Sequence, residues 1–202
     1  YQARLRLRYF NNDLRIGYQH INKSYRTFGN PSLLRDNAGW FVRDRISLYK
    51  GHLFMNLGYE TYHDNLRDKG DYTLRRDEIS IGFNVLSGEQ YPDVSFYYLA
   101  QLNENDGEQI PADSSIGFYE PADTRISYGS NVFNLGLRQV VYYRNLRNLF
   151  NFGLIQSTRK DDIFSFSDMD YLVLSLGAIT EYEDLPMITR ISYSSSSQES
   201  SG

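Results

Sequence analysis

The feature that most constrains this chain is an alternation of apolar and polar side chains with a period of two residues. Ile79, Ile81 and Phe83, for example, alternate with Ser80 and Gly82. Successive side chains of a β-strand point to opposite faces, so each such segment predicts a strand with one apolar face. Ten segments of this kind occur, near residues 3, 14, 40, 53, 79, 94, 133, 150, 172 and 187. The pattern therefore predicts an all-β chain of about ten antiparallel strands.

The composition fits apolar residues that are spread along strands rather than gathered in a core. Mean hydropathy is −0.54, although aromatic residues make up 15% of the chain and include 18 Tyr and one Trp. There is no cysteine, which excludes disulfides and thiolate metal sites. A net charge of −4 does not favour nucleic-acid binding. No apolar run approaches the ~18 residues of a membrane helix, so any passage through a bilayer would use strands.

The expected connections between these strands alternate between short and long. Short ones are expected at Asn11-Asn12, Lys50-Gly51, Ser87–Pro92, Arg144–Arg147 and Glu183–Pro186, and long ones at 22–37, 64–71, 103–124 and 158–168. Outer-membrane barrels carry tight periplasmic turns at one rim and longer external loops at the other. A soluble β-sandwich has no reason to separate its loops by length in this way.

In its alternation, its loop lengths, its lack of cysteine and its richness in Tyr and Gly, the chain resembles porin-like Gram-negative outer-membrane β-barrels. This resemblance implies an antiparallel up-and-down transmembrane β-barrel over residues 1–193, in contact with outer-membrane lipid, and a Ser-rich loop or tail over 194–202. The loop pattern would place both ends of the chain at the outer rim, whereas complete barrels of this class have both ends in the periplasm. We therefore expect a larger barrel, completed by further strands or by a partner polypeptide.

Strand parity places many arginines on the face opposite the apolar residues. If that face lines a water-filled lumen, its guanidinium groups would attract anionic solutes, and Glu60 and Glu78 would be the counter-charges. The alternative is a packed interior in which arginines pair with carboxylates and no solute passes. The arginines expected to line the lumen are Arg4, Arg6, Arg8, Arg15, Arg43, Arg45, Arg76 and Arg138.

One residue argues against a membrane setting. Asp44 shares its parity with Trp40, Val42, Ile46 and Leu48, which places a carboxylate on the apolar face. Such a charge is unfavourable in the middle of a bilayer, whereas a soluble sheet would tolerate it.

Signals for catalysis are weak. His63 beside Asp64 is the one His–carboxylate neighbour in the sequence, and adjacent strand residues point to opposite faces. No nucleophile elbow, phosphate loop or paired-His metal motif is present. We therefore expect no enzyme activity, no cofactor and no metal. The expected function is an outer-membrane channel, and the alternatives are a non-conducting scaffold or assembly component that binds a partner protein, or a soluble extracellular β-sandwich.

Overall fold

The computed structural model describes residues 1–22, 36–66, 72–88, 91–107, 125–163, 167–182 and 187–200. Each strand pairs antiparallel with the next in a single sheet, which confirms the predicted all-β, up-and-down architecture. The ten strands are β1 (Gln2–Tyr9), β2 (Asn12–Ile21), β3 (Asn37–Leu48), β4 (Leu53–His63), β5 (Leu74–Val85), β6 (Asp93–Asn105), β7 (Ser127–Tyr143), β8 (Leu146–Asp161), β9 (Met169–Tyr182) and β10 (Ile188–Ser200).

The sheet is open in the described part of the chain. There, β1 pairs with β2 alone and β10 with β9 alone. Every residue of these two strands is exposed. Each described strand makes extensive contact only with the strands that precede and follow it in the sequence. The described part of the chain therefore forms one layer and not a sandwich of two sheets.

Two hairpins turn within two residues. Phe10 and Asn11 join β1 to β2, and Phe10 has a left-handed backbone with φ 46°. Arg144 takes the same role between β7 and β8, with φ 53°. The first turn lies one residue earlier than the expected Asn11-Asn12, because Asn12 already pairs with Tyr9. The β3–β4 connection contains the expected Lys50-Gly51 pair within a short 3-10 turn.

The loop lengths separate less strictly than the sequence suggested. Three long stretches of sequence, 22–36, 64–73 and 106–126, separate strand ends that lie at one end of the sheet. However, 162–168 at that end and 86–92 at the other have the same length. The first of these is short because β8 extends to Asp161, whose N–H donates to Asp168 Oδ1 at 2.7 Å.

The serine-rich segment does not form the expected loop or tail. Residues Ser194–Ser200 continue β10 and pair with β9, from Ser194 opposite Ser175 to Ser200 opposite Met169. This pairing uses backbone N–H and C=O groups, so a run of serines can extend a strand beyond the last residue of its apolar pattern. Residues 201–202 lie outside the described part of the chain.

Candidate functional site

The register of the strands divides the sheet into two chemically different faces. Residues directly opposite one another lie on the same face. One row joins Leu5, Ile16, Val42, Tyr59 and Ile79 across β1 to β5. We call the side that carries this row the apolar face, and the other side the polar face.

Most of the apolar face is uncovered in the described part of the chain. Trp40 is 57% exposed, Ile79 49% and Ile191 69%. Among the described residues, Ala38 and Phe41 are the buried hydrophobic side chains. An apolar surface that spreads over this many strands is unusual for a soluble monomer and marks a surface with a partner or a lipid environment.

The apolar residues form a band that crosses the strands diagonally. The register row of Ile16 becomes polar in the second half of the sheet, where it contains Asn131, Thr158, Asp170 and Glu199. On β10 the large apolar side chains of this face are instead Ile191 and Tyr193. We call this diagonal stripe the apolar band.

The slope of the apolar band can be worked out from the register. On β10 the band is centred near Ser192, between Ile191 and Tyr193, whereas the register row of Ile16 reaches Glu199. The centre of the band therefore shifts along the strands by about seven residues over the eight steps from β2 to β10. With ~3.3 Å per residue and ~4.8 Å between strands, the band lies about 30° from the perpendicular to the strands.

Asp44 lies inside the apolar band, as strand parity indicated. It stands between Leu14 and Leu57 in its register row. Its Oδ1 is buried and has no hydrogen-bond partner in the described structure. A carboxylate in such a position requires a partner or is a source of instability.

The register places all eight arginines that were predicted to line the lumen on the polar face, but it does not bring all eight close together. Arg76 on β5 and Arg138 on β7 lie apart from the others, while Glu60 and Glu78 face each other across β4 and β5. The other six lie on three adjacent strands and are called the arginine cluster here: Arg4, Arg6 and Arg8 on β1, Arg15 on β2, and Arg43 and Arg45 on β3.

Like charges stand directly opposite one another in the arginine cluster. Arg6 pairs with Arg15, and Arg15 pairs with Arg43, so three guanidinium-bearing residues share one row. Two carboxylates reduce the repulsion. Arg6 Nε donates to Asp13 Oδ1 at 2.8 Å and Arg15 Nη2 donates to Asp13 Oδ2 at 3.1 Å. Arg43 Nε donates to Glu60 Oε1 at 2.5 Å.

Asp13 was missed in the sequence, although its parity with Arg15 could have placed it on the polar face. Six guanidinium groups face two carboxylates in and beside the cluster, so the positive charge is not balanced there. Arg4, Arg8 and Arg45 form no ion pair with any residue that the structure describes. Unbalanced guanidinium groups on one face attract anions.

Aromatic rings hold part of the cluster in place. The Arg43 guanidinium lies 5.3 Å from the centre of the Phe41 ring and that of Arg4 lies 6.0 Å from it, distances at which cations are attracted to a ring face. Phe41 is 7% exposed because its ring lies over Gly17, where a Cβ would come within 2.3 Å of Cζ. The ring therefore lies flat on the sheet, and the arginines project beyond it.

Glycine is concentrated on the polar face. In the described strands, this face carries Gly17, Gly39, Gly58, Gly82, Gly136, Gly153 and Gly177, and the apolar face carries Gly129. Side chains crowd together on the concave face of a curved sheet, and glycine relieves that crowding. This distribution favours curvature toward the polar face.

His63 and Asp64 do not form a joint site. His63 lies on the apolar face opposite Ala38. The Leu74 N–H donates to Asp64 Oδ1 at 2.7 Å, so this carboxylate closes the end of the β4–β5 pair. Within the described ranges, no helix is long and apolar enough to cross a membrane.

No protein-family model matches the chain, and neither does any curated protein or solved structure. Its function has to be inferred from the two faces described above.

Proposed function

We propose that this chain forms part of an outer-membrane β-barrel channel, with the apolar face against lipid and the polar face lining an aqueous interior. The diagonal apolar band carries this proposal. Barrel strands tilt by roughly 35–45°, so a flat hydrocarbon layer crosses their register at a similar angle. The observed slope of about 30° is close to that range.

The glycine distribution supports the same orientation. Curvature toward the polar face would turn the arginine cluster inward and the apolar band outward. A bilayer also requires the open edges of β1 and β10 to be paired, because lipid offers no hydrogen bonds to a strand edge. The proposal therefore includes further strands beside β1 and β10, from this polypeptide or from a partner.

The charge of the polar face supports an anion-preferring channel. The arginine cluster carries more guanidinium groups than the carboxylates Asp13 and Glu60 can neutralise. Its side chains are accessible, since those of Arg15 and Arg43 are 53% and 58% exposed. A wall of this kind raises the local concentration of anions and lowers that of cations.

The test is the reversal potential of the purified protein in planar bilayers under a salt gradient. We expect anion preference at 0.1 M salt and weaker preference at 1 M, where the screening length falls from ~10 Å to ~3 Å. Arg4→Gln combined with Arg8→Gln should weaken the preference without removing the partner of a carboxylate. Lys50→Gln, in the β3–β4 turn, is the control for loss of a positive charge outside the arginine cluster. Cation preference, or no conductance at all, would contradict the proposal.

A non-conducting scaffold is the second candidate, and the ion pairs across the polar face favour it. Arg43 with Glu60 and Arg76 with Glu78 show that part of this face is internally neutralised. In that case the purified barrel would show heat-modifiable migration in gels but no conductance. A partner polypeptide would then copurify with it in fixed proportion.

A further inference from the structure

We propose that the polar face contains a binding site for the phosphoryl group of a phosphorylated organic solute. We call it the phosphate subsite and define it by Arg15, Arg43, Arg45, Asn56 and Ser80. It rests on the proposed channel, since it names a class of solute that the channel would take up.

The subsite is a cavity of about 250 Å³ between β2 and β5. Arg43 stands opposite Gly58, and Gly58 stands opposite Ser80. Because Gly58 has no side chain, a gap remains in this row between the guanidinium and the hydroxyl. The Ser80 hydroxyl lies over the glycine, where a Cβ would come within 2.3 Å of its Oγ. Arg45 and Asn56 form the adjacent row of the same face.

Several polar groups at this cavity form no hydrogen bond or ion pair with any residue in the described part of the chain. Arg45 contacts the Phe54 ring, with its Cζ 5.4 Å from the ring centre, and forms no ion pair with a described residue. The Asn56 amide and the Ser80 hydroxyl form no hydrogen bond with any residue that the structure describes. Three uncommitted donors therefore surround one space beside a cationic row.

The two carboxylates that border the cavity, Asp13 and Asp44, do not accept hydrogen bonds from these donors. Asp13 already accepts hydrogen bonds from Arg6 and Arg15. Asp44 is among the residues around the cavity, but its register places its side chain on the apolar face. The charge that the subsite lacks is therefore negative and would come from outside the described residues.

The number of donors favours a phosphate monoester over a carboxylate. A phosphoryl group has three terminal oxygens and a charge of about −1.5 to −2, and it accepts forked hydrogen bonds from arginine. Arg15 and Arg43 already donate to Asp13 and Glu60. The Arg45 guanidinium, the Asn56 amide and the Ser80 hydroxyl alone still offer more N–H and O–H donors than the two oxygens of a carboxylate can use.

The organic part of the solute has an adjacent place. A second cavity of about 240 Å³ shares Arg15 and Arg43 with the first and is also bordered by Gln19, Phe41 and Tyr62. Aromatic surface and an amide beside arginine suit a polar organic group such as a sugar. The two cavities together fit a sugar phosphate or a solute of similar chemistry.

Calorimetric titration of the detergent-solubilised protein with inorganic phosphate, in a chloride buffer, tests the subsite without any conductance. We expect saturable binding, weakened about tenfold by Arg45→Gln or by Ser80→Ala. Lys160→Gln removes one positive charge from the apolar face and should not change the affinity. Heat-modifiable gel migration verifies that each variant is folded. No phosphate binding, or equal binding by wild type and Arg45→Gln, would overturn the subsite.

Chloride currents in planar bilayers separate this proposal from that of the channel. Added phosphate should reduce the current saturably in the wild type and much less in Arg45→Gln, with anion preference retained in both. Anion-selective current with no effect of phosphate would overturn the subsite and leave the channel. Phosphate binding by calorimetry in a protein that does not conduct would support the subsite and overturn the channel.

Discussion

The diagonal apolar band makes a prediction about two positions that lie in one register row. Ile79 on β5 connects through Ala100 and Asn131 to Thr158 on β8, and all four lie on the apolar face. Ile79 belongs to the apolar band, whereas the band has shifted away from Thr158. We expect Ile79→Arg to destabilise the membrane-inserted protein by about 2–4 kcal/mol and Thr158→Arg by about 0–1 kcal/mol.

Side-chain packing contributes little to the expected difference in stability between the two arginine variants. Ile79 is 49% exposed, so no protein layer would be disrupted by a longer side chain. On a sheet face in contact with water, both substitutions would fall within about ±0.5 kcal/mol. A difference of about 2 kcal/mol or more between them, roughly thirtyfold in the folding equilibrium, would therefore come from the hydrocarbon around Ile79.

Urea titration of folding into phospholipid vesicles measures these free energies. The single tryptophan is a suitable probe, because Trp40 lies on the apolar face and is 57% exposed in the protein. Ile79→Ala and Thr158→Ala correct for the loss of the original side chains. Equal costs for the two arginine variants, or a larger cost at Thr158, would refute the membrane interpretation of the band.

Three further substitutions test other parts of the structure. Asp44→Leu should stabilise the protein in vesicles by about 1 kcal/mol, because it removes a carboxylate from the apolar band; a loss of stability in the same urea titration would show that Asp44 has a partner in the assembly. Gly17→Val should destabilise it by about 1–3 kcal/mol by displacing the Phe41 ring, again measured in urea. Glu60→Gln should free Arg43 and shift the reversal potential toward stronger anion preference; an unchanged potential would contradict that role.

Strand parity was enough to predict the number of strands, their two faces and the side on which the arginines lie. The lengths of the strands were harder to predict. β7 runs over Ser127–Tyr143, well beyond the apolar residues that revealed it, and β10 includes the serines up to Ser200. Backbone hydrogen bonds extend such strands whatever their side chains, so an apolar pattern marks the middle of a strand better than its ends.

The register could not be predicted in the same way, and the site depends on it. In the structure Arg6 stands opposite Arg15. A shift of two residues between β1 and β2 would keep every side chain on its face and yet place Arg6 opposite Asp13. Arg4 instead of Arg6 would then stand opposite Arg15 in the cationic row, and Arg8 would no longer stand opposite Asp13.

What selects the observed register is the tight turn at Phe10 and Asn11, in which Phe10 adopts a left-handed backbone that its residue type does not indicate. The same limit applies to the apolar band, since its slope exists only once the rows are known. Composition and parity thus predict which face can meet lipid and which can meet anions. The turns determine which charges on the polar face stand side by side, because they set the register of each strand pair.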